Sequence, residues 1–200
     1  MQLIAITGGI GSGKSVVSRI VKVMGYEVYD CDSRARALMT TDEEVRHLLV
    51  EAFGPETYLA DGSLNRQHLS QVAFGNDAAL AILNNIVHPA TARDMKRWAV
   101  EQELRNAPVA FCETALLRTA GLVRVVDAVW HVTAPEQVRV GRVMTRSGLT
   151  VSQVKERMLA QALEEPVADG EHALVNDNDI ALLPQVIRLL KEHLEVTTFS

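Results

Sequence analysis

Leu3–Ser15, LIAITGGIGSGKS, is the stretch on which the reading of this chain turns. An apolar run, Leu3 to Ile6, breaks into a glycine-rich turn spelling G-x-x-x-x-G-K-S, with Gly8 and Gly13 at its fixed positions and Lys14 and Ser15 closing it. Residues without a Cβ let such a loop wrap a phosphate closely, so that successive backbone N–H groups point at its oxygens. Gly9, Gly11, Ser12, Gly13, Lys14, Ser15 and Val16 are therefore the candidate nucleotide-binding residues. Lys14 is placed to reach the β/γ-phosphates and to act in catalysis, and the Ser15 hydroxyl to ligate Mg²⁺. A helix opening at about Lys14 adds the positive end of its dipole. Val16, Val17, Ile20, Val21 and Met24 recur at helical spacing, with Ser18, Arg19 and Lys22 on the other face. Strand, loop and helix stand in the order the motif requires, and the expected ligand is a nucleoside triphosphate.

The whole chain has 200 residues, enough for one domain with a real core and an inserted lobe. With 48% hydrophobic and 22% charged residues it reads as soluble and globular, and its apolar runs are too short to span a bilayer. The first residues lead straight into the strand, with no basic n-region or cleavage site, so a cytoplasmic location is expected. Cys31 and Cys112 have neither metal-site nor disulfide-framework spacing and read as small buried thiols, each in a strand-like stretch. A net charge of −5 argues against a nucleic acid as partner.

Further along, Glu27–Asp30 reads as a short second strand that delivers Asp30 and Asp32 just past its tip. In open α/β sheets the strand C-termini line the ligand crevice, so these carboxylates would face the loop; the pair reads equally as a cap and turn for the helix that follows. From Ser33 to about Asn106 the pattern is helical almost throughout, more than one crossover needs, which predicts a helical lobe for a bulky second substrate. Within it Ser63 or Asn65 can cap a helix, and His88-Pro89 predicts a break between Asn76–Val87 and Ala90–Arg105. His88 is either a helix-boundary residue or a ligand contact.

Pro108–Glu113, PVAFCE, is an apolar strand ending in an acid, the shape of a Walker-B element; Glu113 is a candidate for Mg²⁺ through water or a plain strand-end acid. Val125–Thr133 reads as the next strand. The helix after Pro135 carries Arg139, Arg142 and Arg146 on one face, either a solvated row or a lid that neutralises charge during phosphoryl transfer. Val151–Leu163 reads as a further helix, Ala173–Asn176 as a last short strand, and Ile180–Leu194 as a closing amphipathic helix.

Nearly the whole chain resembles the dephospho-coenzyme A kinases of the P-loop kinase group. ITGGIGSGKS looks like their start, and YDCDSRAR resembles their Asp-Ala-Asp followed by Ala-Arg, with Cys31 for the alanine. DGSLNRQHLSQVAF and LNNIVHP are similar to the family's Gly-x-Leu-Asn-Arg helix and Leu-x-x-x-x-His-Pro, and APEQVRVGRVMTRSG with Arg157 and Gln161 to its lid. Ala115-Leu116-Leu117-Arg118-Thr119 departs from the family's Pro-Leu-Leu-Phe-Glu.

The resemblance implies a three-layer α/β P-loop NTPase fold, a five-stranded parallel sheet flanked by helices. The core would be residues 1–32 and 107–200, the helical substrate lobe about 33–106 and the lid about 139–165. It further implies ATP as donor and dephospho-CoA as acceptor, with Asp32 accepting the proton of the ribose 3′-hydroxyl. A secondary hydroxyl needs such a base, whereas an acceptor phosphate does not. Asp32, Arg36, Arg66 and His88 are the candidate acceptor contacts, Asp30 joins Ser15 and Glu113 as a candidate Mg²⁺ contact, and Arg142 and Arg146 fall on the lid's two regular arginines. The family's late Asn falls on Asn176 or, by a register shift, on Asn178. Two alternatives stand beside this. A shikimate kinase also pairs the loop with Asp-x-Asp, but its small acceptor leaves the long lobe unexplained. A nucleotide-binding switch of the GTPase type would carry Asn-Lys-x-Asp, which is absent.

Overall fold

The structure, a computed structural model, describes residues 1–73, 76–164 and 171–198. Phe74, the last residue of the lobe motif, and Glu165, the last of the expected lid, lie outside the described residues. Among those described, β1 (Gln2–Thr7), β2 (Val28–Asp30), β3 (Val109–Glu113), β4 (Ala128–Thr133) and β5 (Glu171–Val175) form one parallel sheet in the order β2-β3-β1-β4-β5. β1 sits at its centre. That is where a run buried on both faces belongs, and Leu3, Ile4, Ala5 and Ile6 are all buried.

One face of the sheet packs against α1 (Lys14–Val23) and α8 (Leu182–Thr198). Ile4, Ile6, Phe111, Trp130, Val132 and Leu174 from the strands meet Val17 and Val21 of α1 and Val186, Leu189 and Leu190 of α8. Phe111 lies 4.9 Å from Trp130, centroid to centroid, and Tyr26 approaches its edge at 5.8 Å. Between β4 and β5 run α6 (Glu136–Ser147) and α7 (Val151–Ala160). Thr150 and Gln153 close a capping box at the start of α7. α7 stops three residues short of the expected Leu163, and a 3-10 turn, Ala162–Glu164, takes its place.

The chain divides into two compact units, residues 1–30 with 98–200, and residues 31–97. The second unit is helical: α2 (Cys31–Thr41), α3 (Glu43–Phe53), α4 (Arg66–Ala73) and the part of α5 (Asp77–Leu104) up to Arg97. Its own core gathers Leu38, Val45, Leu49, Phe53, Leu69, Ala79 and Ala90. Asp42 caps α3 by accepting from Val45 N–H at 3.1 Å, and of the two candidate caps for α4 it is Asn65 that accepts, from His68 N–H at 3.1 Å.

Two local expectations are corrected. His88-Pro89 does not end a helix: α5 runs through Pro89 for 28 residues. Proline removes one N–H and crowds the preceding turn, yet Val87, Ala90, Thr91, Asp94 and Met95 around it are buried, and tertiary packing outweighs the local cost. Cys31 opens α2 instead of extending the strand, while Cys112 lies in β3; both thiols are buried.

Candidate nucleotide-binding site

β1 ends at Thr7 and the loop 8–13 leads into α1, whose N-cap is Gly13 (φ 98°) with no side-chain cap and no acidic residue in the first turn. A helix start that carries no carboxylate of its own is free to take an external anion. The loop is shaped from outside by its carbonyls. Lys14 Nζ reaches back to Gly8 O at 2.7 Å and to Gly9 O at 3.5 Å. Arg139 Nε donates to Ile10 O at 3.0 Å, and Arg142 Nη1 to Gly11 O and Ser12 O at 3.3 and 3.4 Å. Asn176 Nδ2 donates to Ser12 O at 2.8 Å. Because C=O and N–H point oppositely across a trans peptide, drawing these carbonyls toward the side chains turns the N–H groups of Gly9, Gly11 and Gly13 the other way. That is how a row of amides becomes an anion nest. The Ser12 N–H is already used, donating to Gly9 O at 3.1 Å, and Ser12 Oγ is buried with no hydrogen-bond partner among the described residues.

Close approach explains Gly9, whose backbone conformation alone would not require glycine, and adds to the positive φ at Gly13. A Cβ on Gly9 would collide with the Arg139 guanidinium, and one on Gly13 with the Asn176 amide. The three arginines of the row take different places. Arg139 is 8% exposed and lies against the loop, Arg142 bridges loop and turn, and Arg146 is exposed. Arg142 Nη2 also donates to Asn178 Oδ1 at 2.6 Å and Asn176 Oδ1 at 3.3 Å. Both late asparagines are thus engaged, Asn176 under the loop and Asn178 beside a cavity. That cavity, about 550 Å³, is lined by Gln137, Val138, Gly141, Arg142, Thr145, Arg146 and Asn178.

At the C-terminal edge of the sheet, register pairs Asp30 with Glu113 and Glu113 with Ile6, so the two acids stand on neighbouring strand ends, level with the residue before Thr7. Ser15 is exposed in the first turn of α1. These are hard oxygen donors, and Mg²⁺ takes one or two carboxylates plus phosphate and water instead of a full protein cage. The donor set fits that ion. Among the described residues no group of three or more His, Cys, Asp or Glu side chains could hold a metal alone.

In the helical unit, Asp32 and Arg36 stand one turn apart on α2, both exposed; Arg66, exposed, opens α4, and His88, half-buried, lies midway along α5. Sequence reading missed what holds α2. Arg34 forks onto buried Asp94, Nε to Oδ2 at 2.8 Å and Nη2 to Oδ1 at 2.9 Å, while Arg97 Nη2 donates to Oδ1 at 2.6 Å. Nothing in the local pattern marks a pair 60 residues apart. Glu164 was missed as well: its buried carboxylate accepts from Arg118 N–H at 2.9 Å and Thr119 N–H at 2.8 Å, anchoring the segment where this chain departs from the family pattern.

The sequence model of one family, dephospho-CoA kinase, matches residues 2–181. A dephospho-CoA kinase from Porphyromonas gingivalis is 38% identical over 193 residues, 96% of this chain and 94% of that protein. The crystal structure of TT1252 from Thermus thermophilus superposes with a TM-score of 0.72 at 34% identity, covering 97% of this chain and 96% of that one. A shikimate kinase from Acinetobacter baumannii, in complex with shikimate, superposes with a TM-score of 0.52 at 13% identity, covering 98% and 94%, a likeness of fold alone. The fold is that of the P-loop kinases, the shikimate kinase alternative is not favoured, and the chain belongs to the dephospho-CoA kinase family.

Proposed function

We propose that this protein transfers the γ-phosphoryl group of Mg·ATP to the ribose 3′-hydroxyl of dephospho-CoA, giving coenzyme A and ADP in the last step of coenzyme A biosynthesis, in the cytoplasm. The observation that carries the donor half is the loop whose carbonyls are taken by Lys14, Arg139, Arg142 and Asn176, which leaves amides for phosphate. Gly9, Gly11, Ser12, Gly13, Lys14, Ser15 and Val16 bind the phosphates in this reading, and Lys14 moves from Gly8 O to the β/γ-oxygens. The cavity beside Asn178, Arg142 and Arg146 has room for the adenine base, with Asn176 holding the loop beneath it. Mg²⁺, held by Ser15 and through water by Asp30 and Glu113, would neutralise charge on the transferring group. Arg142 places a guanidinium where charge develops.

The acceptor half rests on the helical lobe, about 33–106, with Asp32, Arg36, Arg66 and His88 as contacts, and on a mobile lid at about 139–165. Asp32 takes the proton of the 3′-hydroxyl as the new P–O bond forms, and the pair that binds γ-phosphorus leaves with ADP. Turnover of ATP with dephospho-CoA, against shikimate and nucleoside monophosphates, tests the reaction. Asp32→Asn keeps the shape and removes the base: kcat is expected to fall by about two or more orders of magnitude, with binding of ATP retained. Near-normal turnover in that variant would remove Asp32 from the role.

A further inference from the structure

Ile10 of the phosphate loop is held on both of its backbone groups by side chains distant in sequence. Its N–H donates to Gln161 Oε1 at 2.7 Å, from the turn that follows α7, and its C=O accepts from Arg139 Nε at 3.0 Å, in α6. The N–H belongs to the peptide unit before Ile10 and the C=O to the one after it, so two successive peptide planes have their tilt set. Arg139 does more than donate. Its guanidinium lies against Gly9, and a Cβ on Gly11 would stand 2.6 Å from its backbone oxygen and 3.0 Å from its Cα. The segment 9–11 therefore rests directly on the first turns of α6.

We propose that Arg139 and Gln161 are positioning residues that grip the Ile10 peptide units and transmit the placement of α6 and of the turn after α7 to the phosphate loop. The inference rests on the reading of that loop as the ATP site. Gln161 occupies the Ile10 N–H, so this amide does not join the nest, while Arg139 turns the Gly11 N–H toward it. Glu164, three residues beyond Gln161, is fixed to Arg118 N–H and Thr119 N–H. The turn that holds Ile10 is thus itself anchored to the segment after β3. Movement of this turn would therefore tilt the Gly9–Ile10 peptide unit that Gln161 holds, and with it the loop that presents the Gly11 N–H.

The test uses Gln161→Met and Arg139→Met, which keep much of the side-chain bulk and remove the hydrogen bonds. Affinity for a non-hydrolysable ATP analogue with Mg²⁺ is measured by calorimetry, with KM for ATP and for dephospho-CoA and the unliganded Tm alongside. Each variant should weaken the analogue and raise KM for ATP by about three- to tenfold, leaving KM for dephospho-CoA unchanged. The double variant should lose less than the product of the two, since both act on one residue. A purely packing role predicts a lower Tm and active fraction with an unchanged dissociation constant, and that result overturns the proposal. If Arg139→Met does not fold, Gln161→Met decides alone, and an analogue affinity within twofold of wild type overturns it. Wild type that binds the analogue but fails to phosphorylate dephospho-CoA would instead remove the acceptor assignment and leave the clamp standing.

Discussion

Lys14 is the residue whose loss separates chemistry from folding. Its ammonium holds Gly8 O at 2.7 Å, and in the proposed reaction it moves to the β/γ-phosphates. The neighbouring turn bonds, Ser12 N–H to Gly9 O and Val16 N–H to Gly13 O, do not depend on it. Lys14→Ala should lower kcat/KM by about 10²–10³, the range for one lost charge-stabilising donor, with far-UV circular dichroism unchanged. Gly9 is bound to a different constraint. Its Cβ position is filled by the Arg139 guanidinium, so Gly9→Ala should destabilise by about 1–3 kcal/mol, read as a lower midpoint in urea. Combined with Arg139→Ala the added methyl loses the three atoms nearest to it, all of them in the Arg139 guanidinium. The double variant should then unfold close to the Arg139→Ala single variant, and additive losses would refute the contact.

At the scale of elements, α8 is tied to the sheet through His193. Trp130 Nε1–H of β4 can only donate, and it meets His193 Nε2 at 3.1 Å, so that nitrogen must carry a lone pair. His193 Nδ1 lies 2.9 Å from Gln2 Oε1 in β1, which makes it the protonated nitrogen of a neutral ring. Burial first, and the neighbouring His172 second, push the His193 pKa below its usual value; Glu192 acts the other way. His172 of β5 stacks edge-on at 5.2 Å, with Glu192 4.0 Å from its Nδ1. The unfolded chain takes up this proton more readily than the folded one, near the ordinary value of about 6.5. Stability is therefore fully present above that pH and is lost as pH falls through the lower folded pKa. Thermal melts from pH 7.5 to 5 should show a falling Tm, and His193→Gln, which can still accept from Trp130, should flatten that dependence.

Taken whole, the molecule joins an α/β unit that carries the phosphate loop to a helical unit that carries Asp32, Arg36, Arg66 and His88. A ligand that binds only the folded state stabilises it by mass action, about 2.7 kcal/mol at a hundredfold excess over Kd. Mg·ATP should raise the Tm of the wild-type protein by several degrees and that of Lys14→Ala by much less. An equal shift in the two would place the nucleotide elsewhere. Leu3–Ser15 announced strand, turn and helix because each local choice is short-range: apolar residues for a buried strand, missing Cβ atoms for the turn, and a 3.6-residue period for the helix. The same locality misled at His88-Pro89. There the sequence carries a stop signal, and only the packing of Val87, Ala90 and Met95 overrides it.

What the sequence determined by itself was the chemistry within reach of one turn of chain: the loop's spacing, the acids at the ends of β2 and β3, and the arginine period of α6. Which groups meet across the chain was settled by the folded packing. Arg139 meets Ile10 over 129 residues, Gln161 meets it over 151, and Asn176 meets Ser12 over 164. Sequence spacing leaves Arg139 equally able to face water or the loop, since both faces of a helix turn are open to a long side chain. The choice was made by burial: Arg139 is 8% exposed, and the turned loop presents Ile10 O to its Nε at 3.0 Å.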